Sequence, residues 1–190
     1  IAISEFNIEI ISALLFGLFL SAIIPYYTFF ILKQKLSISD AGAVAAAYGS
    51  VSAVTFVAAV SFVESINQQY SGHMVAVMAF MEAPAIVVGV SLINRYDIDE
   101  NEKVSLWHII KHSITNGSVV LVLGSLIIGL ISDIKQAEGI KPFTNDIFKG
   151  FLAIFLLEMG MVTARRFGTF KKYGLFATLF AIVIPLFNGI

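Results

Sequence analysis

The sequence predicts an all-α polytopic membrane protein of about six transmembrane helices, and three observations predict it. Of 190 residues, 58% are hydrophobic and only 13% charged. Mean hydropathy is +0.89, beyond what a domain with a fully solvated surface carries. The apolar residues gather into runs close to the ~20 residues that a helix needs to cross the hydrocarbon core. These runs do not alternate in polarity, as the ~10-residue strands of a membrane β-barrel do. The absence of cysteine excludes disulfides and thiolate metal sites. A net charge of −1 offers no basic field for nucleic acid.

In order, the expected spans cover residues 8–32, 41–63, 74–93, 115–131, 147–164 and 173–190. Lys33, Lys35, Arg95, Lys103, Lys111, Arg165, Arg166, Lys171 and Lys172 fall in or beside the first, third and fifth connections, whereas Lys135, Lys141 and Lys149 fall by the second and fourth. Positive charge collects on the cytoplasmic side, so the odd connections are expected there, with the chain multi-pass in the inner (plasma) membrane. The opening "IAISEFNIEI" starts without methionine and lacks the basic region of a signal peptide, so the sequence reads as truncated.

The outer spans resemble one another. "LFGLFLSAIIPYY" (15–27) aligns with "LFATLFAIVIPLF" (175–187) on their prolines, and Leu, Phe, Ile and Pro coincide. The charge rule gives the two copies opposite orientation, as in secondary transporters built from inverted repeats. The expected parent is then a ten-helix (5+5) carrier of which this chain holds the middle six helices. Residues 1–94 would supply helices three to five of the first repeat, 95–106 a cytoplasmic linker, and 107–190 helices one to three of the second.

Polar residues inside the spans point to a site. In "AAYGSVSAVTF" (46–56), Gly49, Ser50, Ser52 and Thr55 interrupt a small, apolar run. Unwound backbone at membrane depth is tolerated only where it lines a protein cavity. A helix broken at Gly49 exposes amides suited to an anion. The carbonyls of its first half, with the oxygens of Ser50, Ser52 and Thr55, suit a cation such as Na⁺. The same run also reads as a packing face in which Gly42, Ala46 and Gly49 bring helices close, and the two readings are compatible.

Glu82, in "AVMAFMEAPAIVVGV", lies mid-span, where an ionised side chain costs about 2.5–3.5 kcal/mol on the translocon scale, so it should face a cavity, a cation or a neighbouring helix. Pro84 beside it tends to bend the helix. Glu158, in "FLLEMGMVTA", is a secondary candidate, and its plain alternative is a paired structural carboxyl. Glu64 is expected at the interface. His108 and His112 share a helical face, but without a third ligand they read as interfacial anchors beside Trp107. Asn116 and Gly117 add a polar break to the fourth span. No nucleophilic triad, HExxH or phosphate-binding loop is present, so no enzyme chemistry is expected.

The run "DAGAVAAAYGSVSAVTFVAAVSFVE" (40–64), with "FMEAPAIV" (80–87) and "MGM" (159–161), resembles the sodium-dependent bicarbonate permeases over nearly the whole chain. The most specific element is V-S-x-x-T followed by F-M-E-x-P. The resemblance implies a carrier with a core and a gate domain that binds bicarbonate and Na⁺ where two broken helices meet. Gly49, Val51 and Ser52 would lie on the first of them and Thr55 on its second half. It further implies a homotrimer and, in cyanobacterial members, a PII-type regulatory protein on the cytoplasmic side. Glu82 stands where the family pattern has aspartate, and Glu158 precedes M-G-M where an acid is expected after it. The expectation is thus sodium-coupled inward symport of a small monoanion, with Na⁺ as coupling ion and no other cofactor. The alternatives are a proton- or sodium-coupled carrier of another small organic anion, and a channel or non-transporting scaffold.

Overall fold

The computed structural model describes residues 8–97 and 105–189. Residues 98–104 of the expected linker, Lys103 among them, and the opening 1–7 lie outside the described residues. Every regular element among the described residues is helical. The chain divides into two compact units, Ile1–Ser132 and Asp133–Ile190.

The first unit begins with α1 (Ile8–Leu32), whose 25 residues reach about 37 Å at ~1.5 Å per residue, enough to cross a hydrocarbon core of ~30 Å. Ser37 then caps α2 (Ile38–Gly49). Its hydroxyl oxygen accepts the Asp40 N–H at 3.1 Å and donates to Asp40 Oδ2 at 2.7 Å, satisfying an otherwise orphaned amide. After α3 (Ala53–Ser65), α4 (His73–Tyr96) carries Pro84 inside it. Two shorter helices, α5 (Leu106–Ile114) and α6 (Gly117–Ile131), close this unit.

Small residues decide how α1, α2 and α4 meet. A Cβ on Gly17 of α1 would fall 2.7 Å from Val77 Cγ1 on α4, and one on Gly89 of α4 would fall 2.6 Å from Ala46 Cβ and 2.9 Å from the Gly42 carbonyl oxygen on α2. Ala41, Ala45 and Ala85 are fully buried in the same seam. Close approach multiplies dispersion contacts, which drive helix association in lipid where the hydrophobic effect between helices is absent. The small-residue packing reading of this run therefore holds for Gly42, Ala46 and Gly49. At the far end of α1, Lys33 Nζ stands 4.3 Å from the Phe30 ring centroid and 4.4 Å from that of Tyr96 on α4, a cation–π clamp across the two helix ends.

These contacts give a direct test. Gly89→Ala should lower thermal stability by about 1–3 kcal/mol, because a backbone oxygen cannot move aside cheaply. Gly124→Ala on α6 meets nothing within 4 Å and should be neutral or gain up to ~1 kcal/mol from helix propensity. Melting of the two variants in detergent compares them, and equal midpoints would refute the packing account.

The second unit comprises α7 (Ile134–Lys141), a π-helical stretch at Pro142–Ile147, α8 (Phe148–Arg165) and α9 (Phe167–Asn188). Gly174 kinks α9 with φ 50° and ψ −134°, a conformation that favours glycine. The two prolines aligned in the sequence, Pro25 and Pro185, both lie inside helices.

Among the described residues, three helical segments are long and apolar enough to cross a membrane: Ile8–Leu32, Ile38–Ser65 and His73–Tyr96. The pair Leu106–Ile114 and Gly117–Gly129, bent by 54°, makes a fourth if taken as one span. The expected fifth and sixth spans fall short on these criteria. α8 has 18 residues and carries Lys149, Glu158 and Arg165, and α9 offers the shorter apolar stretch Gly174–Asn188.

Candidate functional site at the broken helix

The second span is interrupted where the sequence places its glycine and hydroxyls. α2 ends at Gly49, and Ser50 (φ −100°, ψ 159°) and Ser52 (φ −64°, ψ 120°) are extended on either side of Val51. Two local causes act together. Ser52 caps α3, its hydroxyl oxygen accepting the Thr55 N–H at 3.4 Å while its carbonyl accepts from Phe56 N–H at 2.9 Å. Gly49 is held from the other side. A Cβ there would lie 2.2 Å from Pro25 Cγ on α1 and 3.0 Å from Ala85 Cβ on α4, so only glycine brings the end of α2 this close to both.

The break leaves two opposed helix ends. The amino end of α3 presents the Ala53 and Val54 N–H groups, which helix geometry leaves without an intrahelical acceptor, with a partial positive charge. The carboxyl end of α2 presents carbonyls, and the Ser50 hydroxyl donates to one of them, Ala47 O, at 3.4 Å. Gly49 is buried, Ser50 half-buried, and Val51, Ser52 and Thr55 exposed. Nothing on α3 is buried. Unlike α2, which carries its close-packed seam, α3 stands clear of the first unit's core.

Glu82 lies one turn before Ala85 on α4, the residue that meets Gly49. Its Oε1 accepts a hydrogen bond from the Ser118 hydroxyl at the start of α6. The polar break at Asn116 and Gly117 shows in the sequence without a chemical role attached to it. The structure shows a capped helix start there, with Asn116 Oδ1 accepting the Ser118 N–H at 3.0 Å. The signal was present locally, since an Asn followed by Gly and Ser before an apolar run is a helix-start pattern. The 36-residue separation of Glu82 from Ser118 is what hid the pairing.

Other candidates fall elsewhere. Glu158 is exposed on α8, in the second unit. Glu64 is exposed near the end of α3. The His108 and His112 rings stack with centroids 6.3 Å apart, and among the described residues no three His, Asp or Glu side chains group as a metal site. A cleft of about 450 Å³ between the start of α4 and α6 is lined by Val75, Ala79 and Leu121, with Tyr70 and Ser125 among its few polar groups. The Ser125 hydroxyl already donates to Leu121 O at 2.7 Å. That apolar lining does not suit a small anion, whereas the α2–α3 break offers amides, carbonyls and hydroxyls together.

No curated protein matches the chain by sequence. The family model of the Na⁺-dependent bicarbonate transporter superfamily matches residues 1–190. With its long apolar helices and a span broken at polar, exposed residues, the chain is a multi-pass membrane protein that belongs to the Na⁺-dependent bicarbonate transporter superfamily.

Proposed function

We propose that the chain is the ion- and substrate-binding part of a Na⁺-coupled symporter that moves bicarbonate into the cell across the plasma membrane. The observation that carries this reading is the break between α2 and α3, with extended backbone at Ser50 and Ser52 beside an exposed Thr55. The amino end of α3 suits the monoanion, and oxygens of Ser50, Ser52 and Thr55, with the carbonyls closing α2, suit Na⁺. Gly49 and Val51 supply main chain to the break. Glu82 stands one turn of α4 away from the contact with Gly49, behind the break and not among its ligands, and Glu158 is a secondary acidic candidate. One Na⁺ carried with one bicarbonate is electroneutral, so uptake would escape the membrane-potential cost of about 2.3 kcal/mol per charge per 100 mV. The proposal extends to an inverted-repeat carrier assembled as a homotrimer, with a PII-type protein at its cytoplasmic face.

Labelled-bicarbonate uptake by the full-length protein, with external Na⁺ present or replaced by choline, tests the proposal. Uptake should saturate with bicarbonate and collapse without Na⁺. Equal uptake in the two media would overturn it.

A further inference from the structure

Two breaks lie in the first unit, and α4 touches both. On one side Ala85 of α4 meets Gly49 at the end of α2. On the other, Glu82, one turn earlier on the same helix, accepts the Ser118 hydroxyl at the amino end of α6. Ser118 is thereby held twice, its hydroxyl by a carboxylate from α4 and its N–H by Asn116 Oδ1 from the hinge. A carboxylate placed at a helix amino end is favoured by the partial positive charge there, and its hydrogen bonds are roughly twice as strong as neutral ones.

Ser113 before the hinge and Val119 after it are buried, while the space around Gly117 is open. α5 and α6 diverge by 54°, yet a Cβ on Gly117 would meet nothing within 4 Å. Thr115 is committed to the end of α5, its hydroxyl donating to Lys111 O at 2.8 Å. Among the described residues the bend therefore has a cap on each side, packing of both helices on α4 with Ile109, Ser113 and Val119 buried, and the Glu82–Ser118 hydrogen bond across helices.

We propose that the Glu82–Ser118 hydrogen bond is a clasp that sets the bend between α5 and α6 and links it through α4 to the α2–α3 break. Glu82 is then a positioning residue and not a Na⁺ ligand. The inference rests on the transport reading for its consequence, and on the clasp geometry alone for its structural half. As a positioning residue Glu82 governs how fast the carrier cycles, while Na⁺ affinity is left to the hydroxyls and carbonyls at the α2–α3 break.

The test uses the full-length protein in vesicles, with Glu82→Ala, Ser118→Ala, the double variant, Glu82→Gln and Ser118→Thr. Each alanine variant should lower the maximal bicarbonate uptake rate roughly tenfold, and the double variant should fall no further, as expected for two halves of one interaction. The Na⁺ concentration for half-maximal uptake should stay within about twofold of wild type, since no ligand is lost. Ser118→Thr keeps the hydroxyl and Glu82→Gln keeps an acceptor oxygen, so both should retain more activity than the alanine variants and guard against misfolding as the cause.

A second readout needs no transport. The 190 residues contain no cysteine, so in a protein with any cysteine outside them replaced, spin labels at Trp107→Cys on α5 and Ile128→Cys on α6, both exposed, report the bend. Their distance distribution should shift or broaden in Glu82→Ala and Ser118→Ala alike. Additive losses, a Na⁺ requirement raised about tenfold by Glu82→Ala alone, or an unchanged label distance would overturn the clasp. If the wild-type protein takes up no bicarbonate, the transport reading fails, and the label distances still decide the clasp.

Discussion

Gly49→Ala is expected to abolish Na⁺-dependent bicarbonate uptake and to lower the amount of folded protein in the membrane. The added methyl would stand 2.2 Å from Pro25 Cγ, 2.6 Å from Pro25 Cδ and 3.0 Å from Ala85 Cβ. None of these neighbours can swing away. The proline ring is locked to the α1 backbone, and an alanine Cβ has no rotamer to change. The helices must separate instead, at a cost of about 1–3 kcal/mol for overpacking. The functional loss should exceed the loss of stability, because separating α2 from α1 and α4 displaces the carbonyls that close α2, which are half of the proposed site. Membrane abundance, melting in detergent and uptake measured on the same preparation separate the two effects. Gly124→Ala, away from the hinge and with nothing within 4 Å of a Cβ, is the control expected to keep all three. A Gly49→Ala protein with wild-type melting and uptake would show that the close approach is unimportant.

Thr55→Val should raise the Na⁺ concentration for half-maximal uptake roughly tenfold or more, while membrane abundance stays near wild type. Removing an oxygen that meets a charged partner forfeits about 1.5–3 kcal/mol, and valine keeps the shape of threonine. Thr55→Ser retains the hydroxyl and should stay close to wild type. Ser52→Ala should be at least as damaging, but for two reasons. Its hydroxyl oxygen is a proposed ligand, and it also accepts the Thr55 N–H that starts α3, a cap worth typically about 1 kcal/mol. The Thr55 pair therefore isolates the ligand role, since the Thr55 side chain takes no part in that cap. Unchanged Na⁺ dependence in Thr55→Val would remove it from the site.

Both predictions depend on a break that was legible in the sequence. A glycine followed by serines at 50 and 52 in an otherwise small and apolar run breaks the chain by near-neighbour chemistry. The serine hydroxyl competes for backbone amides two or three residues on, and glycine resists helix formation more than any residue but proline. The same grammar starts α2 at Ser37 and α6 at Asn116. The second break drew no functional assignment because local pattern shows where a helix starts and not which distant side chain sits on its end.

The number of spans illustrates a related limit. Counting apolar residues yields six runs, of which three, or four with the bent pair, lie on helical segments that meet the length, hydropathy and charge criteria among the described residues. The fourth run folds as a bent pair together with the preceding α5, and the fifth carries charge at Lys149, Glu158 and Arg165. The sixth lies on the shorter apolar stretch Gly174–Asn188 that follows the kink at Gly174.

The sequence by itself determined the membrane environment, the helical class, the long apolar helices of the first unit and the two interruptions. Each of these follows from hydropathy or from hydrogen bonds between residues a few positions apart, and such interactions are fixed by local order along the chain. Only the tertiary structure decided that Gly49 closes on Pro25 and Ala85, that Gly42 and Gly89 share one seam, and that Glu82 is bonded by Ser118. A glycine tolerates close approach by any neighbour and a carboxylate accepts from any donor, so their chemistry leaves the partner open until the packed helices bring one of them within reach.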